Sequence, residues 1–89
     1  MNIFAGYAIE PNSYCYPYQA KPMIETYDLG DAKKKCSANP NCHMFFHQRD
    51  TPTMFWFCGK TATIHHSSEN PMLLNPILYI QGNKPLRQY

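Results

Sequence analysis

Four cysteines, Cys15, Cys36, Cys42 and Cys58, constrain the fold of this chain more than any other feature. A chain of 89 residues buries only about 60–65% of the surface that its unfolded form exposes. Its hydrophobic core is therefore marginal, and the fold needs a cross-link such as a disulfide bond or a structural metal ion. An even number of cysteines in a short chain predicts two disulfide bonds formed in an oxidising compartment, with three pairings open. We therefore expect one small domain, residues 1–89, that is secreted or displayed at a cell surface.

The alternative cross-link, a structural zinc site, is disfavoured by the spacing of its potential ligands. Cys36 and Cys42 are separated by five residues, whereas zinc knuckles have two to four residues between their cysteines. His43 and His47 would lie on one strand face about 13 Å apart, which is too far for them to share a metal ion. The adjacent histidines at 65 and 66 would point to opposite faces of a strand. We therefore expect no metal site, and nothing in the sequence indicates a cofactor.

Charge and hydropathy argue against nucleic-acid binding and membrane insertion. The net charge is +2 and 16% of the residues are charged, which is too little for the clustered basic face that nucleic acid requires. The one basic run, Lys33-Lys34-Lys35, is interpreted as the solvated side of a helix, with a polyanion contact as the alternative. No apolar stretch approaches the ~18 residues of a membrane span.

The residue types that carry out catalysis occur without the spacing that catalysis requires. All four cysteines are predicted to form disulfide bonds, so no thiolate nucleophile is expected. The serines at 67 and 68 lack the G-x-S-x-G elbow, and the six acids are scattered along the chain. We therefore predict that the protein is not an enzyme.

The patterning predicts an α+β domain in which one short helix packs on a small curved antiparallel sheet. The helix begins after Asp28, a good N-cap, places Leu29, Ala32 and Cys36 on one face, and ends before Pro40. The remaining predictions are strands at 43–47, 53–58 and 77–80, extended chain over 5–18 with a turn at 11–13, a polar connection at 48–52, a further strand piece at 61–64, a long loop at 65–76, a core spanning about 5–81 and a tail at 82–89.

Alternation along the strand predicted at 53–58 makes both of its faces apolar. Trp56 should share a face with Cys58, while Phe55 and Phe57 lie on the other face. Either the helix and the long loop cover the sheet on both sides, or one face is offered to a partner. Phe55 and Phe57 are therefore one candidate binding surface.

A second candidate binding surface consists of Tyr14, Tyr16 and Tyr18, which alternate with Cys15 and Pro17. In a strand the three tyrosines would share one face and Cys15 would lie on the other. Tyrosine gives a large contact area at a low entropy cost and suits protein or sugar ligands, with packing inside a small core as the alternative.

The segment 32–45 (AKKKCSANPNCHMF) resembles the centre of a PAN/apple domain. In that family a short helix carries a cysteine, a turn leads to a second cysteine, and a buried phenylalanine follows three residues later. Cys36, Cys42 and Phe45 fit these positions. A further family cysteine lies on a later strand and is followed closely by Lys or Leu, as in Cys58-Gly59-Lys60.

The resemblance covers roughly residues 5–81 and carries an implication for the disulfide pairing. Many PAN/apple domains have an additional helix cysteine that bonds the strand cysteine, but Ala32 occupies that position here. The bonds that the resemblance implies are Cys36–Cys42 and Cys15–Cys58.

The resemblance also implies a function. PAN/apple domains mostly mediate protein–protein or protein–carbohydrate contacts within larger extracellular proteins, which implies an adhesion or recognition module that binds a protein or a glycan. The alternative is a structural subunit that self-associates, through its apolar sheet face or its tyrosines, into an extracellular coat, fibre or surface filament.

Overall fold

The structure is a computed structural model that describes residues 6–18, 24–25 and 28–82. These residues form one helix, α1, at Leu29–Ala38, and seven strands. The strands are β1 (Tyr7–Pro11), β2 (Ser13–Tyr16), β3 (Ile24–Glu25), β4 (Met44–Gln48), β5 (Thr51–Cys58), β6 (Thr63–His66) and β7 (Ile77–Gln81). Five of them form an antiparallel sheet in the order β1-β7-β4-β5-β3, and β2 pairs with β6 in a separate antiparallel ribbon. The predicted α+β class is confirmed.

Helix α1 begins where the sequence predicts, because the side chain of Asp28 caps it. The Asp28 carboxylate accepts a hydrogen bond of 2.9 Å from the backbone N–H of Asp31. At the other end, the backbone N–H of Asn39 donates to the carbonyl oxygen of Cys36 at 3.1 Å. Ala32 and Cys36 are fully buried and Leu29 is partly buried against the same cluster, so the helix turns the predicted face toward the sheet.

Two apolar clusters occupy the two faces of the five-stranded sheet. Under α1 the cluster comprises Ala32, Cys36, Cys42, Phe45, Phe55, Phe57 and Tyr79. Under the ribbon of β2 and β6, the cluster on the opposite face comprises Tyr14, Cys15, Met44, Phe46, Cys58 and Leu78. Alternation along β4 and β5 supplies both clusters, because successive side chains of a strand point to opposite faces. The sheet is therefore the middle of three layers: helix, sheet and ribbon.

Each of the two disulfides joins one outer layer to the sheet. Cys36–Cys42 links the last turn of α1 to the segment that enters β4, with the Cα atoms 5.2 Å apart. Cys15–Cys58 links β2 of the ribbon to the end of β5, with the Cα atoms 6.3 Å apart. The sequence separations are 6 and 43 residues, for which the chain-entropy relation gives about 2.4 and 4 kcal/mol of stabilisation. The pairing that the resemblance implies is thus present.

The structure contradicts the candidate binding surface formed by Phe55 and Phe57. Their side chains are 0% and 3% exposed, because α1 covers the face of β5 on which they lie. The ring of Phe55 packs edge-on against Phe45 with centroids 5.5 Å apart. The alternation of the strand is as predicted, with Trp56 packed against the opposite cluster, but both faces are covered.

The element boundaries differ from the predictions where a distant partner decides them. Strand β6 includes residues 65 and 66, which were expected to begin a loop, because it pairs with β2 in the register Cys15↔Ile64. Strand β5 begins at Thr51, two residues earlier than predicted. The predicted turn at 11–13 is present: Asn12 adopts the left-handed conformation with φ 55°, which asparagine tolerates, and separates β1 in the sheet from β2 in the ribbon. The predicted tail lies outside the described residues beyond Gly82.

The burial of Phe55 predicts that it is needed for stability. Phe55→Ala is expected to lower the free energy of unfolding by about 3–5 kcal/mol, because it removes buried ring contacts and leaves a cavity. The milder Phe55→Leu keeps the domain folded if the alanine variant does not fold. Tyr16→Ala, at a side chain that is 56% exposed, is the matched aromatic control, with an expected loss below about 1 kcal/mol. Urea unfolding followed by tryptophan fluorescence measures all three, and an unchanged midpoint for Phe55→Ala would contradict the buried position.

Candidate binding surface

The predicted tyrosines lie together at one end of the ribbon, but at different depths. Tyr14 is 6% exposed and Tyr16 is 56% exposed, while Tyr18 is half-buried. The rings of Tyr16 and Tyr18 meet edge to face with centroids 5.8 Å apart. Tyr18 and Tyr14 each pack edge-on against Phe46, at 5.2 and 6.0 Å. Tyr14 therefore belongs to the core, as the alternative interpretation held, and the accessible part of this surface consists of Tyr16 and Tyr18.

His65 on β6 completes the tyrosine group from the neighbouring strand. It is the register partner of Tyr14, and the two rings stack with centroids 5.4 Å apart. Its Nδ1 lies 2.9 Å from Oε1 of Glu69, and its Nε2 lies 2.8 Å from Oγ1 of Thr63. When Nδ1 donates its proton to the carboxylate, Nε2 is the acceptor for the Thr63 hydroxyl.

Thr63, His65 and Glu69 are joined by hydrogen bonds in the order of a nucleophile, a base and an orienting carboxylate. The remaining contacts of Glu69 nevertheless give this group a structural role. The second oxygen of Glu69 accepts a hydrogen bond of 3.3 Å from the backbone N–H of His66. This bond is half of a capping box that starts the 3₁₀ turn Ser67–Glu69. These three hydrogen-bonded side chains thus hold the end of the ribbon against the 3₁₀ turn that follows it.

Burial and hydrogen bonding shift the pKa of two groups in this region. Burial, followed by the nearby negative charge of Glu69, raises the pKa of the Tyr14 hydroxyl. The hydrogen bond from His65, followed by the one from the His66 backbone, holds the pKa of Glu69 below its ordinary value. At neutral pH, Tyr14 is therefore a neutral phenol and Glu69 is an ionised carboxylate.

A cleft of about 330 Å³ opens beside Tyr18, and one cysteine of each disulfide lines it. We name this cavity the disulfide cleft. Its walls come from the end of the ribbon, the turn after α1 and the end of β5, and its main lining residues are Tyr18, Asn39, Asn41, Cys42, Phe57, Cys58 and Gly59. None of the described residues that line the cleft is charged. The described lining therefore combines the rings of Tyr18 and Phe57 with two asparagine residues.

The turn after α1 positions the two amides of the disulfide cleft. The Asn39 side chain accepts a hydrogen bond of 2.8 Å from the backbone N–H of Asn41, and its backbone carbonyl accepts one of 3.0 Å from Cys42. Gly59 approaches this turn so closely that a Cβ atom there would stand 3.2 Å from the Asn41 carbonyl oxygen. From the sequence, this turn was predicted as the end of the helix and as the link between Cys36 and Cys42, but not as the wall of a cavity. The two asparagines beside a disulfide cysteine were the available signal.

The described residues include five large apolar side chains that are exposed to solvent: Ile9, Tyr16, Ile64, Met72 and Leu74. Tyr16 alone among them is in ring contact with a residue of the disulfide cleft, namely Tyr18. Ile9 lies on β1, which ends the strand order of the sheet. Ile64 lies at the opposite margin of the ribbon, where a second cavity opens.

Within residues 6–18, 24–25 and 28–82, no cluster of three or more His, Cys, Asp or Glu side chains is arranged to hold a metal ion. In the same part of the chain, α1 and every other helical segment are too short or too polar to cross a membrane. No family model, no curated protein and no solved structure matches this chain.

The lowered pKa of Glu69 predicts an acid-dependent loss of stability. A carboxyl group whose folded-state pKa lies below its unfolded value stabilises the fold above that unfolded value, near 4.5, and ceases to do so as the pH falls through the folded pKa. Glu69→Gln is therefore expected to be less stable than the wild type at pH 6, with the difference shrinking as the pH falls below 4.5 and through the lowered pKa. Urea unfolding at several pH values measures this. Glu10→Gln removes an exposed carboxylate from β1 and serves as the control, and an equal pH dependence in both variants would contradict the assignment.

Proposed function

We propose that this domain is an extracellular recognition module, and that its ligand is a carbohydrate bound in the disulfide cleft and against the exposed ring of Tyr16. The observation that carries the proposal is the combination of an aromatic ring, Tyr18, with Asn39 and Asn41 in a cleft whose described lining has no charged side chain. Rings pack against the apolar faces of sugars, and amides both donate to and accept from hydroxyl groups.

The size and continuity of the surface support the same ligand class. A cavity of about 330 Å³ lies at the lower end of the range for small-molecule sites, ~300–1,000 Å³, which suits the terminal part of a glycan. Beyond the cleft, the edge-to-face contact between Tyr18 and Tyr16 extends the aromatic surface outward. A sugar chain leaving the cleft would meet the ring of Tyr16, which is 56% exposed.

The extracellular setting of the proposal is supported by the two disulfides, since such bonds persist in oxidising compartments. The resemblance of segment 32–45 and of Cys58 to PAN/apple domains supports a recognition role by analogy with that family. The same resemblance is also compatible with a protein ligand bound at this surface.

The alternative function, a self-associating structural subunit, has one observation in its favour. Strand β1 is an edge strand that carries Ile9 with 57% of its side chain exposed, and an edge strand can pair with another chain. The apolar sheet face that was first considered for this role is buried under α1. Light scattering at several protein concentrations separates a monomeric module from an assembling subunit.

Binding to a glycan array, followed by titration of the best glycan, tests the carbohydrate proposal. Tyr18→Ala is expected to weaken that glycan's binding about tenfold through loss of ring contact, and Asn41→Ala about three- to tenfold through loss of a hydrogen bond. Tyr18→Phe keeps the ring and should retain most of the affinity. Lys34→Ala, an exposed position on α1, is the control and should bind as the wild type does.

Two results would contradict the carbohydrate proposal. The first is a folded, monomeric domain that binds no glycan on the array. The second is glycan binding that Tyr18→Ala and Asn41→Ala leave unchanged while thermal unfolding shows both variants to be folded. The first result removes the carbohydrate as the ligand, and the second places the glycan outside the disulfide cleft.

A further inference from the structure

A second cavity, of about 350 Å³, opens on the ribbon side of the sheet, at the margin of the ribbon. We name it the ribbon groove. Met44 and Ile80, a cross-strand pair of β4 and β7, lie on the sheet side, and Ala62 and Ile64 lie on the β6 side. Ile64 is 50% exposed, so the groove presents apolar surface directly to solvent.

The ionisable side chains that line the ribbon groove are both basic types. Among the residues that the structure describes, Lys60 and His43 line it and no acidic side chain does. The ammonium group of Lys60 is carried by the exposed turn between β5 and β6. An apolar groove with a positive charge at its margin is complementary to a molecule that has an apolar chain and an anionic end.

We propose that the ribbon groove binds a small amphipathic carboxylate, with its hydrocarbon chain against Met44, Ala62, Ile64 and Ile80 and its carboxylate near Lys60. The groove is distinct from the disulfide cleft, since the two share no lining residue. The proposal is therefore independent of the carbohydrate proposal and adds a second ligand class to the domain.

The size of the groove selects the probe for the experiment. A volume of about 350 Å³ is small for a binding site, so octanoate is a suitable probe, with hexanoate as its shorter homologue and octylammonium as its charge-reversed counterpart. Octanoate should bind about tenfold more tightly than hexanoate, because each buried methylene adds to the hydrophobic free energy. It should also bind at least fivefold more tightly than octylammonium.

NMR titration of the labelled domain locates the probe and measures its affinity. Octanoate is expected to shift the signals of Ala62, Ile64 and Ile80. Lys60→Glu should reverse the preference, so that octylammonium binds better than octanoate. Lys34→Glu makes the same charge change on the exposed side of α1 and should leave the wild-type preference intact. Because the comparison is between two probes on one folded variant, altered stability cannot imitate the reversal.

Several results would overturn this proposal. Shifts confined to other residues would place the octanoate elsewhere, and equal effects of Lys60→Glu and Lys34→Glu would leave only a response to net charge. Concentration-dependent shifts of the same signals without any probe would mean that a second copy of the chain occupies the groove. Asn41→Ala, in the disulfide cleft, should not affect octanoate binding, so failure of one proposal is distinguishable from failure of the other.

Discussion

Both faces of the central sheet are apolar, and the rest of the structure depends on covering both of them. Phe45 and Phe46 are neighbours on β4, point to opposite faces, and are each 0% exposed. A helix of ten residues covers one face only. The other face is covered by a two-stranded ribbon, which on its own is at best marginally stable. The bond Cys15–Cys58 and the packing of Tyr14 on Phe46 hold that ribbon in place.

The two candidate sites lie at the edges of the helix and the ribbon that cover the sheet. The disulfide cleft lies where the end of α1, the end of the ribbon and the end of β5 meet, so Cys42 and Cys58 line the same cavity. The ribbon groove lies beside the cross-strand pair Met44 and Ile80 of the sheet, where Ala62 and Ile64 form its other side. Within the described residues, the disulfide cleft is lined by polar and aromatic side chains without charge, whereas the ribbon groove is apolar with a basic margin, and the two linings suit different ligands.

The features that could be predicted from the sequence are those that neighbouring residues determine. Asp28 caps α1 through a contact three residues away, and alternation correctly assigned Trp56 and Phe57 to opposite faces of β5. The pairing Cys15–Cys58 could be inferred only through a family resemblance, because its partners are 43 residues apart.

The features that could not be predicted depend on long-range pairing. Whether Phe55 and Phe57 were buried depended on where α1 packs, which alternation does not specify. The strand character of residues 65 and 66 depended on β2, and the depth of Tyr14 depended on the stacking of His65 across the ribbon. The disulfide cleft combines three chain segments that are distant in sequence, so its shape did not follow from local patterns, and the two asparagines beside Cys42 were its one local signal.

The most direct test of this account is the disulfide pairing, because each bond fixes one covering layer. Trypsin under non-reducing conditions cleaves after Arg49 and Lys60 and within the run at 33–35, which separates Cys15, Cys58 and the segment with Cys36 and Cys42. Mass spectrometry should find the Cys15 peptide linked to the Cys58 peptide, and the segment 36–49 alone with an internal bond. A peptide in which Cys15 is linked to Cys36 or Cys42 would contradict the three-layer arrangement.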